Sequence, residues 1–174
     1  MAKSKLLVAY FSRGGMNYVN GSIVKLTVGN SRVCAELVAK ITGGDLFEIA
    51  PETSYPEDYY ACTEVAKQEF RSGSRPPILG KVENMAEYGA VVLCHPNWWG
   101  TMPMAVWTFL EAHDFAGKRI APLCTHEGSG MSRSPRDIAA LCPQSVVLEG
   151  LAIRGSKVRR AEGDIRRWIE ELRL

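Results

Sequence analysis

The feature of this sequence that most constrains its fold is an alternation of short apolar runs with segments of helical periodicity. Residues 5–11 are apolar at every position after Lys5, which is typical of a strand buried on both faces of a parallel sheet. Further short runs that we interpret as strands lie at residues 45–49, 90–95, 119–124 and 145–149. The alternation predicts an α/β fold in which helices cover both faces of a five-stranded parallel sheet.

Helices are predicted between and after these strands. Val33, Leu37 and Ile41 recur four residues apart within residues 31–41, and the pair Gly43-Gly44 follows as a helix stop. The other predicted helices cover residues 57–71, 103–111, 135–141 and 162–172. The 174 residues therefore indicate a doubly wound βαβαβαβαβα arrangement, long enough to form one domain over residues 1–174.

One segment interrupts this arrangement, between the first strand and the first helix. Loops of this type usually have about 2–6 residues, but here residues 14–29 intervene. Asn20-Gly21, a strong signal for a two-residue turn, separates two partly alternating stretches, so we predict an inserted β-hairpin. A lone hairpin is marginal in water and has to pack on the domain's own surface or on a second copy of the chain, which leaves a homodimer open.

Composition and charge argue against several functional classes. The formal net charge is +2. Residues 154–174 hold seven Lys or Arg and four Asp or Glu, but these charges are interleaved and lie opposite an apolar stripe, so we interpret them as a solvated helix face rather than a nucleic-acid surface. No apolar run approaches the roughly 20 residues of a membrane span, and no secretory signal is recognisable. We expect a cytoplasmic protein without a nucleic-acid or membrane partner.

The five cysteines show neither a CxxC pair nor a histidine motif beside them. This spacing argues against a zinc site and against a disulfide framework, and no metal site is predicted. Cys94 and Cys124 each end an apolar run and are predicted to be buried, reduced thiols.

Polar and glycine residues follow the first strand, where a doubly wound sheet binds ligands beyond its carboxyl edge. Ser12, Arg13 and Gly14 come directly after this strand, and Asn30 and Ser31 begin the first helix. Hydroxyl and amide groups, glycines and a helix N-terminus together favour a bound phosphate. Asn30 or Ser31 could instead cap the helix, and the two roles are compatible.

Two adjacent tryptophans follow the third strand, in a loop bounded by proline and glycine. The candidate binding residues of this loop are Pro96, Asn97, Trp98, Trp99, Gly100 and Thr101. The tryptophans either plug the core or form a flat apolar wall for a planar ring, with loop amides bonded to the heteroatoms of that ring.

The loop after the fourth strand supplies the last group of candidates, Thr125, His126, Glu127, Gly128 and Gly130. Its glycines allow close approach of the backbone, and Thr125 and His126 offer donors. A hydrolase that uses His126 is weakly supported, because no matched nucleophile accompanies it. Together the three loops offer a phosphate cradle, an aromatic wall and a backbone-rich rim, which predict a site for flavin mononucleotide (FMN).

The sequence resembles the flavodoxin family over nearly its whole length, most closely the bacterial members that carry Tyr-Phe-Ser-Arg at the end of the first strand. The matching pieces are Tyr10-Phe11-Ser12-Arg13, Gly29-Asn30-Ser31, Asp45-Leu46-Phe47-Glu48-Ile49, Tyr55-Pro56 and residues 96–103 and 125–130. The family's phosphate loop usually reads Ser-Arg-Thr-Gly-Asn-Thr. Here the predicted hairpin splits it, and Gly14 replaces the threonine.

The resemblance implies a flavodoxin-like fold with FMN as cofactor. By this carry-over Ser12, Asn30 and Ser31 hold the phosphate, and Arg13 and Gly14 line the same turn. Residues 96–101 and 125–130 then border the flavin ring.

The resemblance also suggests a function. Flavodoxins that shuttle electrons are usually strongly acidic and often place a tyrosine over the ring, whereas this chain is near neutral and has tryptophans. These differences favour an FMN-dependent oxidoreductase, reduced by NAD(P)H or by a protein partner, that passes electrons to a small acceptor such as a quinone. The alternative is a flavodoxin fold that has lost flavin and serves as a binding or regulatory module, which Gly14 and the split loop support.

Overall fold

The computed structural model describes residues 5–174, and strands and helices alternate along them as the sequence predicts. The strands are β1 (Lys5–Tyr10), β2 (Gly15–Val19), β3 (Ser22–Leu26), β4 (Asp45–Glu48), β5 (Tyr88–Pro96), β6 (Arg119–His126), β7 (Val146–Val147) and β8 (Leu151–Arg154). The α-helices are α1 (Asn30–Thr42), α2 (Tyr59–Ser72), α3 (Met104–Ala112), α4 (Ser134–Leu141) and α5 (Glu162–Leu172). Two short 3₁₀ helices cover Met85–Glu87 and Gly155–Arg160.

The main sheet is parallel, with strand order β4-β1-β5-β6-β7, and β8 also pairs with β6. The chain passes from β1 to β4 on one side and then crosses to β5 on the other side of β1. Adjacent strands that diverge in this way create the switch point at which doubly wound sheets bind ligands. The fold is flavodoxin-like, and the predicted fold class is confirmed.

The fifth strand differs from the prediction. Residues 145–149 were expected to form one strand, but β7 pairs only with Arg119 and Ile120, and β8 pairs with residues 123–126. Gly150 lies between the two pieces, where a Cβ would come within 2.9 Å of the Pro122 carbonyl oxygen in β6. The strand is therefore interrupted around Gly150, and its pairing with β6 stops at Ile120 and resumes at Leu123. The sequence prediction missed β8, which has only four residues.

Burial on both faces of the sheet explains the continuous apolar run in β1. Leu7 and Ala9 belong to the core cluster under α3 and α4, whereas Val8 and Tyr10 belong to the cluster under α1 and α5. Successive side chains of β1 therefore enter opposite cores, and neither face of the strand has room for polar residues. All five cysteines are buried and unbridged, as predicted for Cys94 and Cys124.

The predicted hairpin is confirmed. β2 and β3 form a separate antiparallel pair in which Val19 lies opposite Ser22. Asn20 and Gly21 form the turn with φ of 48° and 88°, the left-handed geometry that matches strand twist in tight hairpins. The hairpin packs on the start of α2, where the Met16 amide donates to the Glu57 carbonyl over 3.1 Å.

Helix ends follow local chemistry. The Asp58 side chain accepts from the Ala61 amide over 2.8 Å, so α2 begins at Tyr59 rather than at residue 57. α1 ends at Gly43, whose φ of 72° only glycine adopts without cost. Among residues 5–174 no helix is both long and apolar enough to cross a membrane.

Candidate functional site

A cleft of about 610 Å³ lies at the carboxyl edge of the sheet, where β1, β5 and β6 end. It brings together twelve of the residues singled out from the sequence: Ser12, Arg13, Asn30, Ser31, Pro96, Asn97, Trp98, Trp99, Thr125, His126, Glu127 and Gly128. The three loops therefore converge as their positions after parallel strands predict.

Four predicted residues lie outside the cleft wall. Thr101 is buried, and its hydroxyl donates to Asp137 Oδ2 over 2.6 Å. Gly100 and Gly130 form turns with φ of 79° and 62°, and Gly14 packs against the Leu26 carbonyl. These residues shape the loops. Positive φ explains the glycine at positions 100 and 130, and the close approach of two backbone carbonyls explains it at position 14.

The turn after β1 approaches the start of α1 very closely. A Cβ at Gly29 would collide with Ser12 Oγ and with the Arg13 carbonyl, so only glycine fits there. Gly29 is the N-cap of α1 and offers no side chain, while Ser12 Oγ accepts from the Arg32 amide over 3.1 Å. Because the first amides of a helix have no intrahelical partner and carry partial positive charge, α1 presents an anion-favouring end to the cleft.

Ser31 and Thr125 link this end of the cleft to β6. Their hydroxyl oxygens lie 2.8 Å apart, and both residues are buried. One hydroxyl donates to the other, which leaves the second hydrogen for another acceptor. The pair therefore fixes the start of α1 against the end of β6.

Arg13 holds the loop after β1 to the segment before α2. Its guanidinium donates to the carbonyls of Met16, Pro56 and Glu57 at 2.7, 2.6 and 2.6 Å. The same bonds fix the root of the hairpin, so Arg13 orders the backbone on two sides of the cleft.

The two tryptophans occupy different environments. Trp98 and Thr101 exchange backbone hydrogen bonds of 2.8 and 3.1 Å across a tight turn, in which Trp99 has a φ of 55°. The Trp98 ring packs edge-on against Phe11 and Tyr55, with centroids 5.2 and 5.0 Å away. It is therefore both part of the core and part of the cleft wall.

Trp99 instead packs against α2, and the residue is 46% exposed. Its indole Nε1 donates to the Thr63 carbonyl over 3.1 Å, and Lys67 Nζ lies 5.4 Å from the ring centroid. The ring is held in place by a helix and is still accessible at the cleft.

Asn97 joins the tryptophan loop to the loop after β6. Its amide nitrogen donates to the Gly130 carbonyl and to Ser132 Oγ at 2.8 and 2.9 Å, while its amide oxygen accepts from the Gly100 backbone. With every polar atom of its side chain engaged, Asn97 fixes the relative position of these two walls.

The two histidines beside the cleft have lowered pKa values. His95 is fully buried, and desolvation lowers its pKa to about 4 even though its Nδ1 lies 3.0 Å from the Pro96 carbonyl. Partial burial and then the nearby Arg154 lower the pKa of His126, whose Nδ1 accepts from the Gly128 amide. Both imidazoles are therefore neutral at pH 7, and the Nδ1 atom of His126 is occupied within its own loop.

Glu127 places a carboxylate in the cleft wall. Its Oε2 accepts from the Asn20 amide over 2.9 Å, and its Oε1 is buried without a hydrogen-bond partner among residues 5–174. A Cβ at Gly155 would collide with both Glu127 Oε1 and the Asn30 side-chain amide, so Gly155 makes room for these two groups.

Sequence reasoning missed eight residues of the wall because most of them do not follow a strand of the main sheet. They are Asn17, Tyr18, Tyr59, Tyr60, Cys62, Thr63, Ala66 and Ser129. Tyr18 belongs to the hairpin, and five others belong to α2. The adjacent aromatic pair Tyr59-Tyr60 in the first turn of a helix was the available signal, since neighbouring side chains leave a helix in directions about 100° apart.

The fold and the site define a class: a doubly wound parallel domain with a ligand cleft at its switch point, an anion-favouring helix end and an aromatic loop. The family model for flavodoxin matches residues 5–172. The chain belongs to the flavodoxin family. Comparison with curated proteins finds no match.

Solved structures agree with this assignment. A candidate flavoprotein from Bacteroides eggerthii is 30% identical over 99% of both chains, with a TM-score of 0.79. Another from Bacteroides uniformis is 27% identical over 96% of this chain and 98% of its own, with a TM-score of 0.73. A flavoprotein from Lactobacillus acidophilus, solved in complex with FMN, is 18% identical over 91% and 98% of the two chains and has a TM-score of 0.64, so it shows the shared fold.

Proposed function

We propose that this protein binds FMN non-covalently in the cleft and acts as an oxidoreductase on a small acceptor. The observation that carries the proposal is the contact of Gly29 with Ser12 at the start of α1, which fits a phosphate, in the same cleft as the Trp98 ring. A phosphate cradle and an aromatic wall in one cleft match the two ends of FMN. The FMN complex of the Lactobacillus acidophilus flavoprotein supports the choice of cofactor.

The protein's own groups would bind and orient the cofactor. Ser12, Asn30 and Ser31 would hold the phosphate, aided by the first amides of α1. Trp98 and the backbone of residues 126–130 would border the ring. When bound, FMN would supply the redox chemistry, taking electrons from NAD(P)H or a protein partner and giving them to an acceptor such as a quinone.

Charge supports a reductase over a low-potential electron carrier. The net charge of +2 does not oppose a reduced anionic flavin, whereas a strongly acidic surface would. We also propose that the protein acts in the cytoplasm.

An absorbance spectrum of the purified protein tests the proposal first. We expect a flavin spectrum, or its appearance after addition of FMN, followed by bleaching under anaerobic NADH or NADPH. Failure to bind FMN would overturn the proposal. Binding of FMN without reduction by either nucleotide would point to a protein partner as the donor.

One observation favours the alternative of a flavin-free binding module. The Glu127 carboxylate lies beside Asn30 against Gly155, and a second anion close to it is disfavoured. A colourless protein that ignores FMN in titration would support this alternative.

A further inference from the structure

Three tyrosines from the inserted hairpin and α2 line the cleft. We call Tyr18, Tyr59 and Tyr60 the tyrosine shelf. The rings of Tyr18 and Tyr59 are tilted by 32° with centroids 6.1 Å apart, and those of Tyr59 and Tyr60 meet edge to face at 5.3 Å. All three line the cleft, and Tyr60 and Tyr18 are 67% and 44% exposed. A large aromatic surface is thus presented to a ligand space instead of to the core.

The hydroxyl groups of the shelf are also available. Elsewhere the Tyr55 hydroxyl donates to Glu69, and the Tyr88 hydroxyl donates to Asp45 over 2.8 Å. Within the part of the chain that the structure describes, no protein group pairs with the hydroxyls of Tyr18, Tyr59 or Tyr60. The shelf therefore offers flat apolar faces together with free phenolic donors.

The charged side chains next to the hairpin and the start of α2 are engaged within the protein, and the Asp58 carboxylate accepts from the Ala61 amide over 2.8 Å. Glu57 binds Lys25 at 2.7 Å, and the Arg13 guanidinium donates to three backbone carbonyls. The ligand that best complements such a surface is neutral, planar and conjugated, and it carries carbonyl oxygens that accept from phenolic hydroxyls.

We propose that the tyrosine shelf is a second ligand subsite, which binds a neutral planar carbonyl compound of the quinone class beside the cofactor. As the site of the acceptor, it rests on the proposed function. The shelf comes from α2 and the inserted hairpin, whereas the phosphate cradle and the ring loops follow β1, β5 and β6. This assigns a role to the hairpin, because it contributes the third ring, Tyr18, beside the two tyrosines of α2.

The first arm of the test measures, by calorimetry and without any reductant, the binding of menadione, a neutral planar quinone, to the protein. Tyr60→Ala and Tyr18→Ala should each raise the dissociation constant of menadione by about fivefold to tenfold, since one aromatic contact is lost. Neither side chain belongs to a buried core cluster, so the variants should fold. Tyr88→Phe, which removes a hydroxyl outside the cleft, is the matched control and should bind menadione like the parent.

The second arm uses the FMN-loaded protein, reduced photochemically and then mixed with menadione or with ferricyanide. The shelf variants should slow reoxidation by menadione at low concentration, while reoxidation by ferricyanide, which is neither planar nor aromatic, and the affinity for FMN stay unchanged. If the variants slow reoxidation by menadione and by ferricyanide equally, or if they bind menadione like the parent, the proposed subsite is contradicted.

The two proposals fail in different ways. If the protein does not bind FMN, the proposed function is contradicted, while calorimetry still tests whether the tyrosine shelf binds menadione. If Tyr60→Ala converts a dimer into a monomer in sedimentation and leaves menadione binding unchanged, the shelf covers a second copy of the chain, and the subsite is overturned.

Discussion

The backbone N–H of Asn20, at the tip of the inserted hairpin, donates to Glu127 Oε2 in the loop after β6 over 2.9 Å. At the other side of the hairpin, Lys25 Nζ lies 2.7 Å from the Glu57 carboxylate, just before α2. The hairpin therefore bridges two walls of the cleft, and its tip depends on a single side chain.

Loss of the Glu127 carboxylate should loosen the tip of the hairpin. In Glu127→Ala the Asn20 amide loses its acceptor, which costs about 1 kcal/mol and should speed its hydrogen exchange about fivefold. Glu127→Gln keeps an acceptor oxygen and is the matched control, with exchange close to that of the parent. Equal exchange at Asn20 in the parent and in Glu127→Ala would show that the contact does not hold the tip in solution.

Removal of the phosphate cradle should discriminate between FMN and riboflavin. Ser12→Ala combined with Asn30→Ala should weaken FMN binding by at least about tenfold for each charge-assisted bond lost, and should weaken riboflavin binding far less, because riboflavin lacks the dianion. Ser12→Ala also removes the acceptor of the Arg32 amide, so the melting temperature has to be measured alongside. Equal weakening of both ligands would contradict the phosphate assignment.

The parts of the molecule that the sequence predicts well are those with local causes. The double burial of β1, the Asn20-Gly21 turn and the convergence of three loops all follow from patterns of a few residues. The break at Gly150 escapes such patterns, because Gly150 lies against the Pro122 carbonyl of β6, a contact between residues far apart in sequence. The role of Tyr59 escapes for the same reason, because its ring lies beside Tyr18 in a hairpin more than thirty residues away in sequence.

The tryptophan loop should separate stability from binding. Trp98→Ala removes a ring packed on Phe11 and Tyr55 and should lower the free energy of unfolding by about 3 kcal/mol. Trp99→Ala changes an exposed ring and should lower it by about 0.5 kcal/mol, while weakening FMN binding and shifting the flavin spectrum. Urea unfolding and FMN titration by tryptophan fluorescence, which bound FMN should quench in the parent, give both quantities. If both variants bind FMN like the parent, the loop has a purely structural role.

His95 should make the fold sensitive to mild acid. Its folded-state pKa of about 4 lies below the ordinary value of 6.5, because the buried ring cannot be charged without loss of solvation. As the pH falls through 6.5, the unfolded chain takes up a proton that the folded chain does not. The free energy of unfolding should therefore decrease down to a pH of about 4, by about 3 kcal/mol from this group.

His95→Gln tests this origin. The variant has no imidazole to titrate, so its free energy of unfolding should fall less steeply between pH 6.5 and 4, whatever its stability at pH 7. Urea unfolding at a series of pH values measures both slopes. Parallel slopes for the parent and the variant would assign the acid sensitivity to carboxylates instead.

Replacement of residues 16–28 by a short glycine linker should leave the domain folded. No residue of the hairpin belongs to either buried core cluster, and the hairpin pairs with no strand of the main sheet. The ends are close enough to join, since Gly14 packs against the Leu26 and Thr27 carbonyls. Circular dichroism and thermal unfolding should therefore show a native α/β domain, whereas sedimentation or the range of acceptors should change.

The linker variant should lose menadione affinity at least as strongly as Tyr18→Ala, because it removes the same ring together with the bridge to Glu127. Reoxidation by ferricyanide serves as the internal control and should be unaffected or faster, since the cleft is more open. An unfolded linker variant would show that the hairpin belongs to the core. A folded variant with the assembly and acceptor profile of the parent would show that the hairpin contributes neither to association nor to recognition of the acceptor.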